Sequence, residues 1–92
     1  MTPKDRLKAI EKAVTRNPPG KNEGALRDVY EHVRHLESVF NNAYAEEKLK
    51  QIIAHANIYF SVRRHTQYGG GQQVASWILT ECSVLEGLLP NQ

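Results

Sequence analysis

Hydrophobic side chains recur at helical spacing along most of the chain and predict four α-helices. The clearest series lies between residues 23 and 41, where apolar residues follow one another at alternating steps of three and four. This series consists of Leu26, Val29, Val33, Leu36, Phe40 and Ala43. Similar series predict helices at about 3–16, 44–66 and 72–88. No segment alternates apolar and polar residues between turn signals, so no strand is predicted.

Start and stop signals support these limits. Thr2 is a suitable N-cap, and Pro3 fits the first helical position because its missing amide hydrogen would have no partner there. Residues 17–20 contain two successive prolines, which end the first helix. Asn22 is a candidate N-cap for the second helix. The glycines at 69–71 predict a flexible turn between the third and fourth helices.

The second and third helices are expected to separate near residues 41–44. A single helix over 23–65 would be ~65 Å long at a rise of about 1.5 Å per residue, which is too long for a compact domain of this size. The sequence therefore predicts an all-α fold. Its architecture is a compact antiparallel bundle of about four helices that forms one domain over residues 1–92.

The fourth predicted helix is apolar over more than half of its circumference, which is more than a surface helix requires. Either the other three helices enclose it, or part of it forms an interface. Glu81 falls on its apolar side, where a carboxylate needs a partner or must become neutral. Because Arg63 continues the apolar side of the third helix, we predict that Arg63 or Arg64 approaches Glu81. The alternative is that these side chains reach water from the helix ends.

Composition and targeting signals narrow the class of protein. Apolar residues make up 40% of the chain and charged residues 24%, which is typical of a globular protein. Cys82 is the only cysteine, so an intramolecular disulfide and a Cys-rich zinc module are excluded. The sequence predicts no signal peptide at its start, where no apolar run follows the charged residues, and it contains no apolar run long enough to span a membrane. A cytoplasmic protein without a cofactor and without membrane contact is expected.

Metal binding and catalysis lack a complete set of residues. Asp28, His32 and His35 lie along one edge of the second helix, but His-x-x-His on a helix is common and supplies too few ligands. The simpler interpretation pairs Asp28 with His32, and Glu31 with His35, one turn apart. Cys82 lies on the apolar side of the fourth helix, where a thiol packs as a small hydrophobic group. We therefore predict no enzyme activity and no metal site.

The uneven distribution of charge leaves nucleic-acid binding as an alternative. The net charge is +2, and the basic side chains are concentrated in the first 21 residues. Cations at i, i+4 spacing on the first helix could follow a phosphate backbone, with a second basic point at the end of the third helix. These candidates are Lys4, Lys8, Lys12, Arg16, Arg63 and Arg64. The first helix contains no aromatic or amide side chain that could read or stack on a base.

Protein binding is the function that the sequence favours. Small helical domains without a catalytic set commonly present a helix face or groove to a partner. Trp77 is the best candidate anchor by residue type, and Ile58 and Val62 lie off the main apolar side of the third helix. The predicted binding residues are Trp77, Ile58, Val62, Val84 and Leu88. An adaptor, inhibitor or modulator of a larger assembly is expected, with a homodimer left open. The size would also fit a phage or mobile-element protein.

Overall fold

The computed structural model describes residues 1–90, and these residues form an all-α protein. Helix α1 covers Pro3–Thr15, α2 covers Glu23–Leu36, α3 covers Ala43–Tyr59 and α4 covers Gly71–Leu88. A short 3₁₀ helix, Arg64–Tyr68, lies between α3 and α4. No strand occurs within this described part of the chain. The predicted all-α fold with four helices is confirmed.

Side-chain caps fix the beginnings of the first three helices. The Thr2 hydroxyl accepts from the Asp5 amide at 3.1 Å, and the Asp5 carboxylate accepts from the Thr2 amide at 3.1 Å. This reciprocal pair is a capping box, with Pro3 at the first helical position. Asn22 and Asn42 each accept from the amide three residues later, at 3.0 and 2.7 Å. The predicted caps Thr2 and Asn22 are confirmed.

The predicted break between α2 and α3 is present, but α2 ends at Leu36 and not at residue 41. The Val39 amide donates to the Leu36 carbonyl at 3.0 Å, so the chain turns immediately after the helix. This turn still directs Phe40 into the core. Phe40 is therefore buried together with the apolar residues of α2, although it lies outside the helix.

Helix α3 also ends early, at Tyr59 instead of residue 66. The Ser61 hydroxyl donates to the Ile58 carbonyl at 2.5 Å and accepts from the Arg64 amide at 2.9 Å. A serine side chain that bonds to nearby backbone groups competes with the helical hydrogen bonds. The chain then turns through the 3₁₀ helix, and Arg63 and Arg64 are exposed outside α3.

Each of the four α-helices packs on two of the other α-helices in an antiparallel arrangement. Helix α1 lies against α2 and α4, and α3 lies against the same two helices from the other side. Helices α2 and α3 run antiparallel because only the short segment 37–42 joins them, and the Tyr30 hydroxyl donates to the Asn57 side chain between them at 2.8 Å. The direction of α4 against α1 is shown by two contacts, one between Gly71 at the start of α4 and Pro19 just after α1, the other the ion pair between Lys8 and Glu86 at 3.1 Å.

Helix α4 is apolar over more than half of its surface because it packs against three elements, α1, α3 and the 3₁₀ helix. Helix α2, which the sequence also placed against α4, does not pack closely on it. The fully buried residues of α4 are Val74, Ile78, Cys82 and Leu85. None of the helices in residues 1–90 is both long and apolar enough to cross a membrane.

The chain crosses closely over itself where α1, α3 and α4 meet. The Tyr59 hydroxyl lies 2.9 Å from the Val14 carbonyl oxygen and 2.6 Å from that of Asn17, which ties the end of α3 to the end of α1. Gly71, the first residue of α4, lies so near Pro19 that a Cβ atom there would be 2.4 Å from the proline ring. Glycine is therefore required at this crossing.

Candidate functional site

A buried His–Glu pair joins α3 to α4. Glu81 is only 5% exposed, and one of its carboxylate oxygens lies 2.9 Å from Nδ1 of His55. The prediction that Glu81 needs a partner is confirmed, whereas the prediction that Arg63 or Arg64 supplies it is wrong. Since α3 ends at Tyr59, the arginines leave the helix before they can face α4.

The environment of Glu81 favours the neutral carboxyl. Burial raises the pKa of Glu81, because the charged form loses its hydration. The hydrogen bond with His55 and the positive charge of Lys48 act in the opposite direction. Burial therefore opposes the charged form of Glu81, whereas His55 and Lys48 stabilise the charged form.

Trp77 lies directly beside this pair. Its ring centroid is 5.1 Å from that of His55, with an angle of 46° between the ring planes. On its other side, the Tyr68 ring stands almost edge-on at 6.1 Å. The partly buried indole is thus held between an imidazole and a phenol, an arrangement with offset and edge contacts that aromatic rings favour.

An open cleft of about 320 Å³ lies at this position, and we call it the Trp77 cleft. It is lined by Lys48, His55, Trp77, Thr80 and Glu81. The Lys48 ammonium group donates to the Gln51 side chain at 3.3 Å and lies 5.2 Å from the centre of the Tyr44 ring. The cleft thus combines an aromatic wall with polar groups from two helices.

The Trp77 cleft has the parts of a binding site but an incomplete set for nucleophilic catalysis. Such catalysis requires a nucleophile hydrogen-bonded to the histidine base. Thr80 supplies the hydroxyl in the lining, and no hydrogen bond joins it to His55 in the described structure. No group of three or more histidine, cysteine, aspartate or glutamate side chains in residues 1–90 is arranged to hold a metal ion.

The predicted protein-binding residues are partly brought together. At 100° per residue, Trp77, Val84 and Leu88 fall within about 20° of one line along α4. Val84 is partly buried and Leu88 is 38% exposed. Ile58 is 7% exposed and belongs to the core, so its side chain offers almost no surface to a partner. Val62 is 68% exposed but lies beyond the end of α3.

The predicted basic stripe on α1 is interrupted. Lys8 forms ion pairs with Glu11 at 3.3 Å and Glu86 at 3.1 Å, and its hydrogen bonds to these carboxylates raise its pKa. Lys4, Lys12 and Arg16 are exposed. Because Lys8 is shared between two acids, it presents less net positive charge to a phosphate backbone than the sequence suggests.

The histidines of α2 form local contacts. His35 lies 3.1 Å from the Glu31 carboxylate, so this predicted pair is confirmed. His32 instead faces the Arg6 guanidinium, which is 3.2 Å from its Nδ1 atom. No hydrogen bond or ion pair joins Asp28 to His32 in the described residues, although the negative charge of Asp28 acts on the His32 ring and opposes the lowering of its pKa.

Two other concave regions have less defined chemistry. A cleft of about 290 Å³ between α2 and α3 has an apolar base of Val33, Leu49 and Ile53. A wider groove of about 620 Å³ runs past Pro18 and Pro19 to the start of α4. Neither contains a buried charged pair or a tryptophan, so the Trp77 cleft is the stronger candidate site.

The sequence contained a signal for the His55–Glu81 pair. In an antiparallel hairpin, residues at similar distances from the turn face each other, and α3 and α4 meet through the segment 60–70. His55 and Trp77 lie close to this turn on opposite helices, and Glu81 is one helical turn further on. The sequence did not reveal that α3 ends at Tyr59, and this end determines which residues of α3 and α4 face each other.

The chain matches no protein-family model, no curated protein and no solved structure.

Proposed function

We propose that this chain is a non-catalytic protein-binding module that recognises its partner through α4 and the adjacent edge of α3. One observation carries this proposal: the line of Trp77, Val84 and Leu88 stays partly open after the bundle has closed. Tryptophan is enriched among residues that dominate binding energy, especially when neighbouring groups exclude water from it. The partner would be part of a larger assembly that this chain bridges, inhibits or modulates.

The packing of Trp77 supports this role. Its ring is already held between His55 and Tyr68 before any partner arrives. A side chain that is fixed in advance loses little conformational entropy on binding, so more of its contact energy contributes to affinity. The same ring offers an apolar surface to the cleft while His55 and Lys48 supply hydrogen-bonding groups beside it.

Nucleic-acid binding remains the alternative. It rests on the exposed cations Lys4, Lys12 and Arg16 of α1. Arg63 and Arg64, at the start of the 3₁₀ helix, are exposed as well. The ion pairs of Lys8 weaken this alternative because they interrupt the stripe. The two functions differ in their dependence on salt, since phosphate contacts release counterions and weaken steeply as salt increases.

A matched pair of α4 variants tests the proposal. Leu88→Glu places a charge on the proposed binding line, and Ser83→Glu places the same charge on an exposed side of α4 away from it. Each protein, with wild type and Trp77→Ala, would be used as bait in nuclease-treated lysate of the native host at low and high salt. Circular dichroism and thermal unfolding would show that each bait remains folded.

We expect wild type and Ser83→Glu to retain the same discrete protein at high salt. Leu88→Glu and Trp77→Ala should weaken its capture at least about tenfold, as expected for substitutions at an interface centre. Equal capture by Leu88→Glu and Ser83→Glu would contradict the α4 surface. Recovery of only nuclease-sensitive and salt-sensitive material, lost on Lys12→Glu, would establish the alternative. Self-association that doubles the molar mass and is lost in Leu88→Glu would identify a second copy as the partner.

A further inference from the structure

The polar groups of the Trp77 cleft form a set that favours a negatively charged ligand. Glu81 is the acid in its lining, but this side chain is buried and its carboxylate is already bonded to His55. The groups left for a ligand are the Lys48 ammonium, the Thr80 hydroxyl and the second nitrogen of the His55 ring. Ammonium–carboxylate hydrogen bonds are among the stronger polar contacts in proteins.

His55 is oriented by its bond to Glu81. Because Nδ1 faces the Glu81 carboxylate, Nε2 is the ring nitrogen that remains for a ligand. With Glu81 in its neutral form, its carboxyl donates to Nδ1 and the ring hydrogen lies on Nε2, where a ligand carboxylate can accept it. The titratable groups that reach this region are Glu81 on α4, Lys48 on α3 and Tyr68 on the 3₁₀ helix. Helix α2 packs on the opposite side of α3.

The aromatic wall adds a second requirement. Trp77 presents a large apolar surface next to Lys48 and His55, so a ligand that is only charged would leave this surface uncovered. A carboxylate carried beside an apolar group satisfies both parts of the cleft. Acidic side chains next to leucine or phenylalanine in a peptide segment have this chemistry, and a cleft of about 320 Å³ accommodates one or two side chains.

We propose that the Trp77 cleft is a carboxylate-binding site that receives an aspartate or glutamate side chain, flanked by an apolar residue, from the partner protein. This inference rests on the proposed protein-binding function and specifies the chemistry of the partner segment. Lys48 and the Nε2–H group of His55 bind the carboxylate, and Trp77 covers the adjacent apolar group. Charge complementarity between Lys48 and an acidic segment determines which partner is accepted.

The first test measures binding to the purified chain and needs no natural partner. The probe is 3-phenylpropionate, and 3-phenylpropanol is the uncharged counterpart with the same skeleton. Trp77 is the only tryptophan, so its fluorescence reports directly on the cleft. We expect the acid to bind in the millimolar range, as is usual for a ligand of this size, and about tenfold more tightly than the alcohol. Equal binding of acid and alcohol, or no binding of the acid, would overturn the proposal.

A pair of lysine variants identifies the cation. Lys48→Gln should weaken binding of 3-phenylpropionate by about tenfold, because the charged hydrogen bond is lost. Lys50→Gln is the matched control, since Lys50 lies on the same helix but lines the cleft between α2 and α3. Equal effects of the two lysine variants would place the acid outside the Trp77 cleft.

A peptide pair then separates a protein partner from a free acid. Acetylated and amidated Leu-Glu-Leu should displace 3-phenylpropionate, whereas the corresponding Leu-Gln-Leu peptide should not. If the small acid binds through Lys48 but the glutamate peptide does not compete, the cleft takes small acids and the assignment to a protein segment is wrong. The two proposals can fail separately: capture of a protein that needs Leu88 but not Lys48 would retain the binding surface and reject the carboxylate site.

Discussion

At the residue scale, His32 shows how one hydrogen bond fixes a protonation state. The Arg6 guanidinium can only donate, so Nδ1 of His32 must accept and the imidazole is held neutral. Burial lowers the pKa of His32, and the nearby charge of Arg6 lowers it further. Folding therefore favours the neutral ring, and a protonated ring would oppose both its environment and its partner.

This state predicts a specific loss of stability in mild acid. Because the pKa of His32 is lower in the folded than in the unfolded chain, the neutral ring stabilises the protein at pH values above the ordinary pKa of 6.5. This stabilisation is lost as the pH falls below 6.5. His32→Gln keeps an acceptor for Arg6 but removes the titration. Relative to this variant, the wild-type free energy of unfolding should decrease between about pH 7 and pH 5. Urea titrations at several pH values measure this difference, and parallel curves for the two proteins would contradict it.

At the element scale, the tightest constraint is the crossing between Gly71 and Pro19. A Cβ atom at Gly71 would overlap the proline ring, and the ring cannot move far because the next amide, that of Gly20, donates to the Tyr59 carbonyl at 2.9 Å. We expect Gly71→Ala to destabilise the protein by about 1–3 kcal/mol, as overpacking usually does.

Gly87 provides the matched control within the same helix. A Cβ atom there would meet nothing within 4 Å, so Gly87→Ala gains helix propensity without a clash. The expected gain in unfolding free energy is at most about 1 kcal/mol, since alanine restricts the unfolded chain more than glycine does. Chemical denaturation of both variants measures the pair. Similar effects of the two substitutions would show that contact with Pro19 does not restrict position 71.

The elements also show which parts of the fold the sequence could predict. Helix starts at Thr2 and Asn22 were predictable because a cap depends on atoms only three residues away. The ends of α2 and α3 were not, because apolar periodicity continues through Phe40 and past Tyr59 even where the backbone has left the helix. For the site, the need of Glu81 for a partner followed from its position on an apolar side. The identity of that partner depended on where Ser61 ends α3, which periodicity does not reveal.

At the scale of the whole molecule, Cys82 is a probe of cooperative opening. The thiol is fully buried in α4, and burial raises its pKa well above its ordinary value. It should therefore react with a thiol reagent only when the bundle opens around it. We expect labelling of the native protein at neutral pH to be at least about a thousandfold slower than in urea. Fast labelling in the absence of denaturant would show that α4 separates locally from the other helices.

The antiparallel packing of α1 on α4 has a practical consequence. Gly71 at the start of α4 contacts Pro19 just after α1, and Lys8 pairs with Glu86 further along. The beginning of the first helix therefore lies beside the end of the last one, whereas Trp77 lies nearer the opposite end of α4. A short linker could therefore join the start of α1 to the end of α4, and new ends could be opened in the segment between α2 and α3. A surface tether attached at this end of the bundle would leave the Trp77 cleft facing solution.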